Sequence, residues 1–432
     1  MATTTKREEV DAGDYSHKKS KDYEEDDVYM PYKKDTYYDR RQQRVAPRSL
    51  LPGDLFGNAV CISGPWAVVG GSCGEGCPGS AYFYQLRAGK WRLVQKVKAW
   101  GSANGDHFGG SCGMDKDTAF VGSTSFPSAV PGPGAAVHIF RLKAGKWREV
   151  QQLLPIDAYV TGFGGFSIAV SKPRAIISAP TYNRTGAVYI FTEACSGKWE
   201  QTAFFTAGQM PGGPPPSFFG GWVGISGRIV TCGATDYKST GAAYVLELVD
   251  KMWVPTKLDF STAALTEFGW ATAISGYTVV VGDGLADKSV GANYVFERHG
   301  LGNWVFTQKL SAPLEVNPMA NDQFSWLTSI SGNYMISSAF PTPLDRAGYA
   351  VIYKKQGSTW VEHEVLTPDD GPPANLQATQ TETTKSKQSQ MPGFPGNGFG
   401  ICPSISGRWA VVGSVVPFQS RGAAYFFDLV RD

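Results

Sequence analysis

Phe followed by Gly returns at Phe56, Phe108, Phe163, Phe219, Phe268 and Phe399, and Phe324 followed by Ser325 fills the one long gap. Seven units result, and subtracting residue numbers spaces them by 52, 55, 56, 49, 56 and 75 residues. A repeat at a fixed period means one supersecondary unit stacked many times, not a string of unlike domains. Other positions keep step with the Phe. Six residues on stand Ile62, Met114, Ile225, Ile274, Ile330 and Ile405, and most of these are followed by a Ser-Gly pair such as Ser63-Gly64 or Ser406-Gly407. A glycine-led apolar segment comes next, GSAYFY from Gly79, GAVYIF from Gly186 and GAAYFF from Gly422 among them. A Trp then opens a last stretch at Trp91, Trp147, Trp199, Trp253, Trp304 and Trp360.

Each unit therefore reads as four short strands. Aromatic and β-branched residues in short runs fit a pleated sheet, and Ser-Gly supplies the positive φ of a tight hairpin. With 51 Gly and 27 Pro the chain is poor helix material. The last unit ends at GAAYFFDLVRD without a Trp strand, whereas RQQRVAPRSLL stands ahead of the first Phe-Gly where an outer strand belongs. Pairing these two would remove two open sheet edges. The expected fold is all-β: a seven-bladed β-propeller of four-stranded antiparallel blades, the last closed by an N-terminal strand.

These shared offsets resemble the FG-GAP repeats of integrin α-subunit propellers and of some fungal lectins, over about residues 45–432. The resemblance implies a calcium loop of D-x-D-x-D-G type between the first two strands. The turns here, ISGPWA, ISGRIV, ISGYTV, ISGNYM and ISGRWA, hold no clustered carboxylates, and Asp115 with Asp117 is the nearest approach. Neither calcium nor any other cofactor is expected.

Three groups are candidates for binding. Asp54, Asp106, Glu267 and Asp322 lie one or two residues before the Phe and either cap that turn or face a common ligand around the rim. Trp222, Trp270 and Trp326 follow it, placed either to fill space between blades or to offer indole faces at the channel mouth. Cys73 and Cys77 are spaced for a local bridge or for half a metal site, but no second pair or nearby His completes four ligands, so they read as loop thiols; the odd total of 7 cysteines is no disulfide framework.

Residues 1–44 form a charged tail with ten Lys or Arg, eleven Asp or Glu and almost no aliphatic residues. Such a segment cannot bury a core and is expected to be disordered alone. Its tyrosines, Tyr15, Tyr23, Tyr29, Tyr32, Tyr37 and Tyr38, are candidate contacts for a protein partner. A polar insertion over 367–398 is likewise expected to be disordered.

The net charge of +2 gives no field for nucleic acid, and no apolar run is long enough to span a membrane. The N-terminus lacks the apolar stretch of a secretory signal, which favours an intracellular protein. Five histidines in scattered contexts form no metal or nucleophile motif. The expectation is thus a non-enzymatic protein-binding or scaffold module, one form of which is a structural component of a virion or cytoskeletal complex. A carbohydrate-binding lectin and a propeller-based enzyme are the alternatives.

Overall fold

The computed structural model describes residues 42–73, 76–123, 135–155, 162–212, 218–235, 240–259, 267–341, 348–368, 398–415 and 421–430. The tail tyrosines and most of the 367–398 insertion lie outside them. Seven four-stranded antiparallel sheets are present. Their inner strands are Phe56–Ser63, Ser111–Asp115, Ile168–Ser171, Val223–Ser226, Thr272–Ser275, Phe324–Ser331 and Phe399–Ser406, which open blades one to seven. Six blades run in simple chain order from inner to outer strand. In the seventh, Gln42–Val45 pairs antiparallel with the strand Ala423–Asp428, Gln42 opposite Phe427 and Val45 opposite Ala424. The two ends of the described chain thus close the ring, as the missing seventh Trp strand predicts.

Seven apolar clusters lie one in each blade-to-blade interface, the closing one joining Phe56, Tyr82 and Trp91 of blade one to Val45, Val411 and Phe426 of blade seven. The Phe-Gly step belongs to these joints. In blade five Phe268 is buried, and Gly269 has φ +98°, where a Cβ would come within 2.1 Å of Ala242 O in blade four. The contact is reciprocal: a Cβ on Gly241, the glycine leading a third strand, would lie 2.0 Å from Phe268 O. Glycine on both sides lets the backbones touch. Blade six has Ser325 in the same left-handed region, at φ +74°, and its hydroxyl donates to Asn293 Oδ1 at 2.9 Å.

Two further joints repeat around the ring. At the first hairpin, Ser63 Oγ accepts Lys116 N–H at 2.9 Å, and Ser171, Ser226, Ser275, Ser331 and Ser406 accept from the next blade's turn in the same way. Asp115 takes the serine's place in blade two and accepts Lys172 N–H at 2.9 Å. At the outer edge a glutamine side chain grips the backbone of the next blade's Trp. Gln95 does so at Trp147, Gln151 at Trp199 and Gln308 at Trp360. Gln43, in the closing strand, does the same at Trp91, with bonds of 2.6 and 2.8 Å.

One expectation is corrected locally. Cys73 and Cys77 form a disulfide rather than standing as loop thiols. The turn between the second and third strands brings their Cα atoms to 6.0 Å, inside the range a bridge requires.

Candidate functional site

The seven inner strands surround a central channel of about 400 Å³, lined by residues such as Cys61, Cys112, Ile168, Ile274 and Cys402. One of its two mouths is framed by the segments that join blades and by the turns between second and third strands. All three groups of candidate residues lie on that face.

The four acids divide. Asp54 Oδ2 accepts Leu51 N–H at 2.8 Å, Asp106 Oδ2 accepts Ala103 N–H at 2.6 Å, and Asp322 Oδ2 accepts Met319 N–H at 2.9 Å. Each carboxylate reaches back three residues to cap its own turn. Glu267 behaves otherwise: its backbone N–H donates to Asp283 Oδ1 at 3.0 Å, and Leu285 N–H donates to the same oxygen at 3.0 Å. Two backbone donors fix the position of the Asp283 side chain, which is fully buried. Glu267 is buried too, and burial, reinforced by the negative charge of Asp283, pushes its carboxyl up to about 7. Gly284 leaves room beside it, since a Cβ there would stand 3.4 Å from Glu267 Oε2. Gln323 enters from blade six, and its Oε1 is buried with no hydrogen-bond partner among the described residues.

The aromatic candidates converge. Trp222 and Trp270 have ring centroids 4.6 Å apart, Trp270 and Trp326 5.0 Å, and the row continues to Phe340 at 5.5 Å and to Phe166 at 6.0 Å from Trp222. This arc spans blades three to six. Trp270 is nearly buried as its central member, while half-buried Trp222 and Trp326 also line the channel. The arc and the acids meet in blade five, where Trp270 N–H donates to Glu267 O at 2.8 Å.

Asp283 was missed in the sequence because it ends an ordinary apolar strand, Thr278–Asp283. Its signal is the replacement by an acid of the small residue that closes this strand in the other blades, Gly71, Ser123 or Ser414 for instance. Asp115 and Asp117 are no calcium cage: the first links blades, and the second pairs with Lys172 Nζ at 2.9 Å.

No family model matches the chain, and no curated protein does. Solved structures similar to it include a periplasmic gluconolactonase from Pseudomonas aeruginosa, at 15% identity and TM-score 0.48, covering 75% of this chain and 86% of that one. A putative 6-phosphogluconolactonase from Bacteroides uniformis matches at 11% identity and TM-score 0.48, covering 72% and 85%. A protein from Lactobacillus plantarum matches at 10% identity and TM-score 0.45, covering 72% and 84%. At these identities and TM-scores the likenesses assign no chemistry to this chain.

Two expectations are nevertheless corrected. Membership of the FG-GAP family is withdrawn, because no family model matches the chain. The Phe-Gly recurrence has a purely geometric cause in the blade joint, which any ring with so close an approach would need. The non-enzymatic scaffold is withdrawn as well, since the chain holds a buried acid pair that the sequence did not show. Among the described residues no helix is long and apolar enough to cross a membrane.

Proposed function

We propose that this protein is a propeller enzyme of acid–base type, acting on a small cyclic polyhydroxylated substrate held against the aromatic arc at the channel mouth. The Glu267–Asp283 pair carries the reading. A carboxyl raised to about 7 by burial and by the acid beside it is a proton donor poised at working pH. The Trp222 and Trp326 faces supply flat apolar surface for a ring's C–H face, and the unpartnered Gln323 Oε1 is an acceptor for a hydroxyl.

Opening of a sugar lactone suits this equipment. Water adds to the carbonyl carbon, the ring ester C–O bond breaks, and the leaving ring oxygen takes the proton of Glu267. Glu267 then regains a proton from the water that attacked. Asp283 keeps the donor's proton in place by repelling a second negative charge beside it.

The test is a panel of sugar lactones, gluconolactone included, assayed with wild-type protein and with Glu267→Gln. Loss of the proton donor should lower kcat by about 10²- to 10⁴-fold. Absence of any lactone opening, or an undiminished rate in the variant, would remove the proposal. The aromatic arc alone favours a second reading, sugar binding without turnover. That reading predicts a wild-type protein that binds sugars and opens none, with Glu267→Gln binding as well as wild type.

A further inference from the structure

We propose that Asp54, Cys73 and Cys77 form a redox-gated site for a thiophilic divalent cation, Zn²⁺ being the natural candidate, and that the disulfide is its closed, metal-free state. The two sulfurs and a carboxylate oxygen of Asp54 lie within 4.8 Å of one another. The C-x3-C segment by itself offers only half a site. The fold supplies the third ligand from the loop that enters blade one, 19 residues before Cys73 by residue number.

The site is braced without metal. Cys73 N–H donates to Asp54 O at 3.2 Å, Asp54 N–H donates to Leu51 O at 3.1 Å, and Asp54 Oδ2 accepts Leu51 N–H. The capping bond occupies one carboxylate oxygen and leaves the other for a cation. Asp54 pairs with no lysine or arginine among the described residues. Its charge is felt at Tyr82, whose hydroxyl is raised first by burial and then by Asp54. Cys73 is buried, while Asp54 and Cys77 are half exposed, so a cation could enter from solvent and keep a water as fourth ligand.

Opening needs a dithiol reductant. The Cys73–Cys77 S–S bond breaks, two electrons and two protons pass from the reductant to the sulfurs, and the reductant closes its own disulfide. Zn²⁺ then displaces one proton from each thiol, giving two thiolates and one carboxylate around the ion. Oxidation of the thiolates by a disulfide oxidant would reverse the sequence and release the metal.

The experiment uses the full chain, reduced with a phosphine, desalted without oxygen and titrated with Cd²⁺ while thiolate-to-cadmium absorbance is followed. Zn²⁺ competition then gives its affinity. Reduced wild type should bind one equivalent more than oxidised wild type, a comparison that needs no mutation. The double variant C73S/C77S should lose that equivalent, leaving whatever Cys61, Cys112, Cys195, Cys232 and Cys402 contribute. Asp54→Asn keeps an oxygen to cap Leu51 N–H but is a poor ligand, and should weaken binding at least about tenfold. Asp106→Asn, the same cap in blade two, whose corner holds Ser123 where blade one has Cys73, should change nothing. Equal stoichiometry in oxidised and reduced protein, an undiminished C73S/C77S variant, or wild-type affinity in Asp54→Asn would each overturn the proposal.

Discussion

Replacing Glu267 by Gln should stabilise the protein above pH 7 and do little at pH 4. Glu267 has its carboxyl raised from 4.5 to about 7, first by burial and then by Asp283. Between those values the folded state holds a proton that the unfolded chain has already released. Stability therefore falls as pH rises through this window. Above it, the folded protein carries a buried carboxylate at Glu267 beside the Asp283 side chain. The displacement corresponds to roughly 3 kcal/mol at full effect, and solvent at the rim reduces this to about 2 kcal/mol. Glutamine keeps the shape and the backbone bond to Asp283 but cannot ionise, so the variant escapes the loss. Guanidinium unfolding of wild type and Glu267→Gln at pH 4 and pH 8 reads the difference directly. Wild type should drop by about 2 kcal/mol more than the variant between the two pH values. A variant whose stability tracks wild type in parallel at both pH values would show that Glu267 titrates as an ordinary surface acid, and the proposed proton donor would go with it. A gain in stability on removal of a group is also what a site held for function, rather than for folding, predicts.

Gln43→Ala removes the two bonds to the Trp91 backbone and should cost about 1–3 kcal/mol in denaturant unfolding, much as Gln95→Ala does at Trp147. A silent Gln43→Ala beside a costly Gln95→Ala would mean that the closing strand is not clamped. Gly291→Ala places a Cβ 1.9 Å from Phe324 O at φ +97° and should cost about 3 kcal/mol or more, whereas Gly276→Ala, at φ +59° with nothing within 4 Å, should cost only about 1–2 kcal/mol. Similar losses for the two would refute the account of the Phe-Gly joint. Trp222→Ala and Trp326→Ala should each weaken sugar-ring binding by isothermal titration while leaving the unfolding midpoint nearly unchanged; unchanged binding would make the arc mere packing.

The blade count and the ring closure were legible because the repeat is dictated by backbone contact. A Gly that must touch the neighbouring blade, and a Phe that must fill the joint, cannot drift far, so the same letters return at fixed offsets. The serine belt was half legible. Ser-Gly reads as a hairpin turn, but the hydroxyl's bond to the next blade shows only in three dimensions, where Asp115 emerges as a substitute serine and not as part of a calcium loop. The Gln clamp stands four residues after Trp91, Trp147 and Trp304. That spacing was visible, yet no rule of strand composition gives a reason for it.

The chemistry was hidden for a different reason: it arises where two ends of a blade meet. The residues just before the Phe and those at or just past the end of the second strand are brought together in four blades, 16 to 19 positions apart. In blade two the pair is Asp106 O with Ser123 Oγ, at 3.1 Å, and in blade seven Gly398 O with Val415 N, at 3.1 Å. The same corner holds Asp54 with Cys73 in blade one and Glu267 with Asp283 in blade five. Most blades fill it with inert residues, so a corner with two reactive side chains departs from what the joint itself demands. Aligning the units on their Phe and comparing these two positions, rather than each column alone, would have exposed both sites. Because the corner is fixed by the backbone of two adjoining blades, chemistry placed there can vary from unit to unit without disturbing the ring.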